Sequence, residues 1–383
     1  MFNNIGIVVG TRPEAIKLMP VYLELKRHFS SVELISTGQH SSMLEQIFSF
    51  FEVTPDVALD VMMPNQSLAG LSARLNERLQ SCYEKRKYDL IIVQGDTTTA
   101  MVASLVAFYN RIKVAHVEAG LRTYNKFSPF PEEINRQIIG RVADYHFAPT
   151  QNAMDILHKE GVENCFLVGN TVIDSLMLCL QKVQANEKQY KEKYKIINDY
   201  SKLILITGHR RENFASGFEE ICSAIKHLSE VYPNYLFYYP VHLNPNVKNK
   251  VSHLLNGIKN IVLDKPLPYD ELIYLMSRSY IILTDSGGIQ EEGPTLNVPI
   301  LVMRDTTERP EGIENGCALL VGASSEKIIS EFNNLVTNAV FYRKMAEAGN
   351  PYGDGKAAVY ISETLLKEKT ENQSKKELLN RQA

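Results

Sequence analysis

The fold is indicated first by residues 5–20, IGIVVGTRPEAIKLMP. A run of apolar, mostly β-branched residues ends at Gly10, and Pro13 then favours the start of a helix. Arg12 and Lys17 follow where they could meet an anion at the N-terminus of that helix. The turn lacks the G-x-G-x-x-G spacing that lets backbone approach a dinucleotide, which weighs against NAD binding. The stretch predicts a strand, a tight turn and a helix with a candidate anion site.

Short apolar runs alternate with longer amphipathic stretches along the rest of the chain. After the first strand, apolar runs occur near residues 88, 113 and 144. A second series begins near 202 with KLILITG and continues through YLFYYPV, NIVLD, YIILTDSGG and PILVMRD. Such runs are typical of buried parallel strands. The restart predicts an α/β protein with two doubly wound domains, whose ligands bind beyond the carboxyl ends of the strands.

We predict the following domain boundaries. The N-terminal domain covers 1–172 and the C-terminal domain 173–357, a helix over about 358–375 packs back on the N-terminal domain, and 376–383 is a disordered tail.

Composition excludes several classes of protein. The 383 residues include 41 basic and 44 acidic side chains, so no global field favours nucleic acid or an anionic membrane. No apolar run approaches the roughly 18 residues of a membrane span, and no signal peptide is recognisable. Five scattered cysteines form no metal-binding or disulfide pattern. We expect a cytoplasmic protein with free thiols and no metal.

Acidic side chains follow predicted strands of the first domain. Asp96 in GDTTTA could cap the next helix or face a ligand. In HVEAGLRT, strand alternation puts His116 and Glu118 on the same side, which fits either a ligand site or a buried, hydrogen-bonded pair. Glu132 in FPEEINRQ lies in the first turn of a helix, where an ion pair with Arg136 at i,i+4 would also explain it. Each position taken alone has a structural explanation.

The second domain carries cationic strand ends. GHRREN places His209 and Arg210 directly after its first strand. HLNPN places His242 after the next strand, where turn chemistry alone explains the motif. RDTTERPEG adds Arg304 and Arg309 as donors for a pyrophosphate. These residues indicate a local site for an anionic ligand.

The most informative motif of the second domain is TDSGGIQEEGP, residues 284–294. Ser286 is a candidate N-cap, and Gly287 and Gly288 leave backbone N–H groups accessible at a helix N-terminus. That arrangement suits a diphosphate. Glu292 is within reach of ribose hydroxyls.

Taken in order, these motifs closely resemble those of the non-hydrolysing bacterial UDP-N-acetylglucosamine 2-epimerases, from about residue 5 to residue 365. The resemblance implies a GT-B-like fold, with two Rossmann-type domains facing each other across a cleft, and a homodimer. It implies reversible epimerisation at C2 between UDP-N-acetylglucosamine (UDP-GlcNAc) and UDP-N-acetylmannosamine (UDP-ManNAc) without a cofactor. The product would supply N-acetylmannosamine for cell-surface polysaccharides.

The resemblance also implies roles for individual residues. The family's catalytic residues are matched by Asp96, Glu118, Glu132 and His209. Positions that hold UDP are matched by Arg12, Lys17, Ser286, Gly287, Gly288, Glu292 and Arg309. In some members a second UDP-GlcNAc binds as an activator, through positions matched by Gln39, Arg210 and His242. Beside that activator site, Ser42 and Asn65 stand where larger or charged residues are expected.

The chemistry of the substrate limits the mechanism. The C2 proton of an N-acetylhexosamine is not α to a carbonyl, so a carboxylate cannot remove it at a useful rate until UDP has left C1. Elimination to 2-acetamidoglucal and readdition of UDP would need proton-transfer groups on two faces of the sugar. We expect Asp96, Glu118 and Glu132 to share this work, with His209 near the diphosphate.

Three alternatives differ in what leaves the site. A hydrolysing 2-epimerase would release N-acetylmannosamine and UDP, a glycosyltransferase of the same fold would need an acceptor, and a sensor would bind the nucleotide sugar without turnover. The set of three acids weighs against a pure binding protein, because burying them near a diphosphate is unfavourable.

Overall fold

The computed structural model describes residues 2–38, 41–63, 66–208, 217–242 and 244–368. The chain divides into two compact units: the first unit comprises Met1–Ser175 with Tyr352–Ala383, and the second unit Leu176–Pro351. None of the helices in the described ranges is long and apolar enough to cross a membrane.

The first unit is built on a seven-stranded parallel sheet with the strand order β3-β2-β1-β4-β5-β6-β7. Its strands are β1 Asn4–Val9, β2 Ser31–Ser36, β3 Val57–Ala58, β4 Leu90–Gln94, β5 Lys113–Val117, β6 Tyr145–Ala148 and β7 Cys165–Leu167. The strand order reverses between β1 and β4, which makes their carboxyl ends the topological switch point where ligands bind in such sheets.

Helices connect these strands. They are α1 Arg12–His28, α2 Ser41–Phe51, α3 Leu68–Arg86, α4 Thr98–Tyr109, α5 Glu132–Val142, α6 Gln151–Lys159 and α7 Thr171–Ala185, which continues into the second unit. Side-chain caps explain several starts: the hydroxyls of Ser67, Thr97 and Thr150 each accept a backbone N–H of the helix that follows. One face of the sheet packs on the apolar faces of α3 and α4.

The second unit repeats the arrangement with six parallel strands in the order β10-β9-β8-β11-β12-β13. Its strands are β8 Lys202–Thr207, β9 Tyr235–Pro240, β10 Ile261–Asp264, β11 Ser279–Thr284, β12 Ile300–Val302 and β13 Ala318–Leu320. Its helices are α8 Glu187–Lys193, α9 Gly217–Val231, α10 Pro245–Leu255, α11 Tyr269–Arg278, α12 Gly287–Glu292, α13 Pro310–Glu314, α14 Ser325–Thr337 and α15 Ala339–Ala346. The switch point lies between β8 and β11.

The chain returns to the first unit at Tyr352. A last helix, α16, is described over 357–368. Its start is held by Asp174 of α7, whose carboxylate accepts the backbone N–H groups of Ala357 at 3.2 Å and Ala358 at 2.8 Å. Asp174 therefore caps the returning helix. The tail predicted over 376–383 lies outside the described residues.

The two doubly wound sheets confirm the predicted α/β class. Four strands were not predicted: β2, β3, β7 and β13. Three of them are edge strands of two or three residues, and edge strands are buried less than central ones, so their sequences lack the continuous apolar run that marks a central parallel strand. The strand β2, SVELIS, lies inside the sheet, but β3 pairs only with its last two residues, Ile35 and Ser36. Its start is therefore only partly buried and alternates polar and apolar residues.

Candidate active site

The predicted residues of the first unit gather at the carboxyl ends of three neighbouring strands. Arg12 is the first residue of α1, the helix that follows β1. Asp96 follows β4, and Glu118 follows β5. The order β1-β4-β5 makes these ends adjacent in the sheet. The switch point thus carries a cation and two carboxylates that are distant in the sequence.

Glu118 is the most constrained of these residues. It has a φ of 64°, in the left-handed region that a residue with a side chain seldom adopts. Lys17 donates from Nζ to its Oε1 at 2.5 Å, and Gln94 donates from Nε2 to its Oε2. The Lys17 and Glu118 side chains are only 10% and 8% exposed. Lys17, which was predicted to hold UDP, is thus also the ion-pair partner of Glu118.

Glu14 joins the turns after β1 and β4. Its Oε2 accepts the backbone N–H of Gly10 at 3.0 Å and of Thr11 at 2.6 Å, and its Oε1 accepts the Thr97 hydroxyl at 2.6 Å. Burial raises the pKa of Glu14, although these hydrogen bonds oppose the rise. Sequence analysis missed this residue. The capping-box spacing from Thr11 to Glu14 is the signal that could have identified it.

Asp96 does not cap α4. That role belongs to Thr97, whose hydroxyl accepts the Ala100 N–H at 3.0 Å. The Asp96 Oδ2 instead accepts from the Arg136 guanidinium, at 3.0 Å from Nε and also from Nη2. Asn135 donates to the Asp96 backbone carbonyl at 2.8 Å. Asn135 and Arg136, both on α5, thereby hold the turn that contains Asp96 in place.

The neighbouring glutamates Glu132 and Glu133 have different environments. Glu133 is fully buried and accepts the backbone N–H groups of Thr123 at 2.9 Å and Tyr124 at 3.1 Å, and the Gln137 amide at 2.8 Å. Burial would raise its pKa, but the hydrogen bonds outweigh burial and lower it. Glu133 therefore anchors the preceding loop. Glu132 is half-buried at the first residue of α5.

His116 stabilises the backbone turn that follows β4. Its Nε2 donates to the backbone carbonyl of Gly95 at 2.7 Å, and its side chain is buried. The pKa of His116 is lowered to about 3, mainly by burial and to a smaller extent by the adjacent His146. The imidazole is therefore neutral at physiological pH and supports the turn that carries Asp96.

In the second unit, Ser286 is the N-cap residue of α12 and Gly287 begins the helix. Within the described chain, the Ser286 side chain makes no capping hydrogen bond. The Arg309 guanidinium lies against Gly287: a Cβ there would be 3.3 Å from Arg309 Cζ. Arg309 also donates from Nε to Glu291 at 2.9 Å. Around Gly288 there is more room, since its nearest neighbour would be the Ser286 Oγ at 4.0 Å.

Glu292 lies at the end of the same helix. Its Oε1 accepts the Tyr269 hydroxyl at 2.7 Å, and both side chains are buried. Arg304 follows β12 and is also buried. The predicted residues of α12 therefore lie together with Arg309 at the carboxyl ends of the strands of the second sheet.

Several predicted residues lie outside the described part of the chain: His209, Arg210, Gln39 and Asn65, together with the side chain of Ser42. His242 is described and exposed, and its Nδ1 accepts the backbone N–H of Asn244 at 3.1 Å. This is the local turn chemistry that its motif indicated.

Among the described residues, no group of three His, Cys, Asp or Glu side chains is arranged to hold a metal ion. The five cysteines are free thiols, and four of them are buried.

The chain is similar to proteins of one family over nearly its whole length. The family model for UDP-N-acetylglucosamine 2-epimerase matches residues 23–366. The UDP-N-acetylglucosamine 2-epimerase of Campylobacter jejuni is 50% identical over 380 residues, covering 96% of this chain and 99% of the relative. That of Escherichia coli K12 is 45% identical over 364 residues, covering 94% and 97%.

Solved structures show the same likeness. The Neisseria meningitidis UDP-GlcNAc 2-epimerase bound to UDP-GlcNAc superposes with a TM-score of 0.91 at 46% identity, over 95% of this chain and 100% of that one. The Methanocaldococcus jannaschii enzyme in complex with UDP-GlcNAc and UDP gives a TM-score of 0.81 at 32% identity, over 95% and 99%.

Proposed function

Because this chain belongs to the UDP-N-acetylglucosamine 2-epimerase family, we propose that it interconverts UDP-GlcNAc and UDP-ManNAc without net hydrolysis. In this reaction the bond between C1 and the UDP oxygen breaks, UDP leaves as an anion, and a carboxylate takes the C2 proton as the C1–C2 double bond forms. UDP then readds to 2-acetamidoglucal while a proton returns to the other face of C2. The product supplies N-acetylmannosamine for cell-surface polysaccharides.

One observation carries the proposal: Asp96 and Glu118 follow adjacent strands at a switch point, and α5, which begins with Glu132, contributes the arginine that contacts Asp96. We assign proton transfer to Asp96, Glu118 and Glu132 as a set. A pair of proton-transfer groups is required because the two transfers occur on opposite faces. His209 is proposed as an acid or charge partner of the leaving diphosphate.

We assign the binding of UDP to the start of α12 and its neighbours. Backbone N–H groups at a helix start and the positive end of the helix dipole favour a diphosphate. Ser286, Gly287 and Gly288 provide this start, and the Arg309 guanidinium lies beside it. Glu292, oriented by Tyr269, is the proposed acceptor for the ribose hydroxyls. Arg12 and Lys17 complete the proposed set of cations.

Three further proposals follow the family resemblance. A second UDP-GlcNAc binds as an activator through Gln39, Arg210 and His242. The chain forms a homodimer, which is supported by strongly exposed aromatic side chains at Phe108, Tyr109 and Phe127. The reaction takes place in the cytoplasm, which is supported by the free state of the cysteines.

Proton NMR in heavy water tests the proposal directly. Purified protein is incubated with UDP-GlcNAc alone, and the anomeric and C2 signals are followed. We expect UDP-ManNAc carrying deuterium at C2. Free N-acetylmannosamine with UDP would identify a hydrolysing enzyme. If the spectrum stays unchanged across a range of UDP-GlcNAc concentrations that would also fill an activator site, the proposed epimerisation is wrong.

A further inference from the structure

Gln94 is a buried polar residue at the end of an otherwise apolar strand. The four preceding residues of β4, LIIV, are fully buried, and the Gln94 side chain, at the carboxyl end, is 3% exposed. Its amide Nε2 donates to Oε2 of Glu118. A buried amide is stable only when it is hydrogen-bonded, and here its described partner is a residue proposed to transfer protons.

The backbone around this contact favours a fixed geometry. Strands β4 and β5 are in register with Gln94 opposite Val117, so Gln94 lies beside the residue that precedes Glu118. Gly95 has a φ of 68°, and a Cβ there would lie 3.5 Å from the Glu118 Oε2. The strand end therefore brings the Gln94 amide and the Gly95 backbone close to the Glu118 carboxylate.

Lys17 and Gln94, which both donate to Glu118, differ chemically. Lys17 contacts Oε1 and can only donate, because a protonated amine has no acceptor. Gln94 contacts Oε2, and an amide carries both a donor group and an acceptor oxygen. Rotation of the amide would let Gln94 accept a hydrogen bond from the protonated acid. A residue that gains and loses a proton in each turnover can thus keep a partner in both states.

We propose that Gln94 is a positioning residue, which holds the Glu118 carboxylate through Oε2 in the orientation needed for proton transfer at C2 of the sugar. This inference rests on the role proposed above for Glu118. Gln94 does not touch the substrate in this scheme and acts only through Glu118.

The first test replaces Gln94 by leucine, which removes both the donor and the acceptor. We expect kcat for exchange of the C2 proton to fall about 10- to 100-fold, since a small misplacement of a catalytic group has effects of this size. KM for UDP-GlcNAc and the affinity for UDP should be unchanged. The acid limb of the pH profile of kcat should move to higher pH, because the ionised carboxylate has lost a hydrogen bond.

The second test, Gln94→Glu, also serves if the leucine variant does not fold. It places a second carboxyl group against Glu118, and two carboxyl groups that share a site hold one proton more tightly. We expect the acid limb to rise by about 1 to 3 pH units, further than in Gln94→Leu. Other charged or titratable groups are described at these strand ends: Arg12, Glu14 and Lys17 on α1, His116 on β5, Asp96 after β4, and Glu132 and Arg136 on α5. They are the same in both variants.

Gln137→Leu is the matched control. Gln137 also donates an amide hydrogen bond to a buried carboxylate, that of Glu133, which anchors a loop and is not one of the residues assigned to proton transfer. This variant should lose stability without a shift of the acid limb. A shift of the same size in Gln137→Leu, or an unchanged kcat and pH profile in both Gln94 variants, would overturn the proposal.

A double variant separates this inference from the proposed function. If Gln94 acts through Glu118, Gln94→Leu should add little to the loss already caused by Glu118→Gln. A full additional loss means that Gln94 acts elsewhere and contradicts the inference alone. If the wild-type chain exchanges no C2 proton, the proposed function fails first. If it does exchange the proton and Glu118→Gln is as active as wild type, the role of Glu118 fails.

Discussion

At the residue scale, the candidate site depends on contacts that hold Glu118 in an unfavourable backbone conformation. Glu118 occupies the left-handed region of backbone space, which is unfavourable for a residue with a side chain. Its contacts with Lys17 and Gln94 hold both carboxylate oxygens. Strain of this kind is found where the surroundings enforce a geometry for function.

The first prediction concerns Glu118→Gln and Glu132→Gln, changed one at a time. An amide of the same shape cannot accept a proton at neutral pH, so kcat should fall at least about 100-fold in each variant. UDP affinity should be retained, which calorimetry checks. Near-normal turnover in both variants, measured by C2 exchange in heavy water, would remove these residues from the mechanism.

At the element scale, α12 is a short helix whose start lies against an arginine. Gly287 permits the close approach of the Arg309 guanidinium, and Glu291 of the same helix accepts a hydrogen bond from it. Because a planar guanidinium presents several donors in fixed directions, its position decides which phosphate oxygens it can reach. The glycine at the helix start is therefore required for packing as well as for its accessible N–H.

The second prediction compares Gly287→Ala with Gly288→Ala. At Gly287 the new methyl group would lie 3.3 Å from Arg309 Cζ and push the guanidinium away by a few tenths of an ångström. At Gly288 the nearest atom is the Ser286 Oγ at 4.0 Å. We expect UDP affinity, measured by calorimetry, to fall about tenfold or more in Gly287→Ala, equivalent to about 1.4 kcal/mol. Equal effects in the two variants would exclude the Arg309 contact as the cause.

Another element-scale feature is the start of α16. Asp174 accepts two backbone N–H groups there and is buried. Burial raises the pKa of Asp174 to about 6 from an ordinary 3.8, although the hydrogen bonds from Ala358 and Ala357 oppose the rise. Between these two values the folded chain binds more protons than the unfolded chain, so the contribution of Asp174 to the free energy of unfolding decreases as the pH rises.

The third prediction follows from that sign. In Asp174→Asn this part of the pH dependence should disappear. Between pH 4 and pH 7 the free energy of unfolding should fall by roughly 2.5 kcal/mol more in the wild type than in Asp174→Asn, because each pKa unit corresponds to about 1.4 kcal/mol and a small part of the effect already lies below pH 4. Hydrogen exchange of the amides in 357–368 measures the opening of this helix at both pH values. Parallel pH curves for the two proteins would contradict the assignment.

At the scale of the whole molecule, exposed aromatic side chains mark part of the surface of the first unit. The exposed aromatic residues Phe108 and Tyr109 end α4 of the first unit, and Phe127 lies in the loop before α5. Phe108 and Tyr109 form one exposed aromatic pair, and Phe127 forms a second with Phe130. Exposed apolar side chains that are grouped in this way are typical of surfaces that meet a partner. This is the physical support for the proposed homodimer.

The fourth prediction is a homodimer in solution. Light scattering coupled to size exclusion should give twice the mass of the chain. Substitution of Phe108 and Tyr109 by aspartate should shift the protein towards the monomer if these side chains are buried in the dimer, because charge on an apolar interface is unfavourable. A wild-type mass equal to one chain would contradict the proposal.

The sequence by itself determined the α/β class and the central strands, because parallel strands covered on both faces need continuous apolar runs. It also determined the family, since ordered strand-end motifs such as GDTTTA and TDSGGIQEEGP extend over the chain. The short edge strands could not be predicted, because partial burial leaves a weak pattern.

Only the tertiary structure decided which side chains contact each other. The sequence left Arg136 as a partner for Glu132, but in the folded chain its guanidinium reaches Asp96 and Glu133. Gln94 has no signal in the sequence, since a glutamine at a strand end is ordinary until the register places it beside Glu118. Contacts between residues far apart in the chain depend on strand order and register, and these are properties of the whole sheet rather than of any local segment.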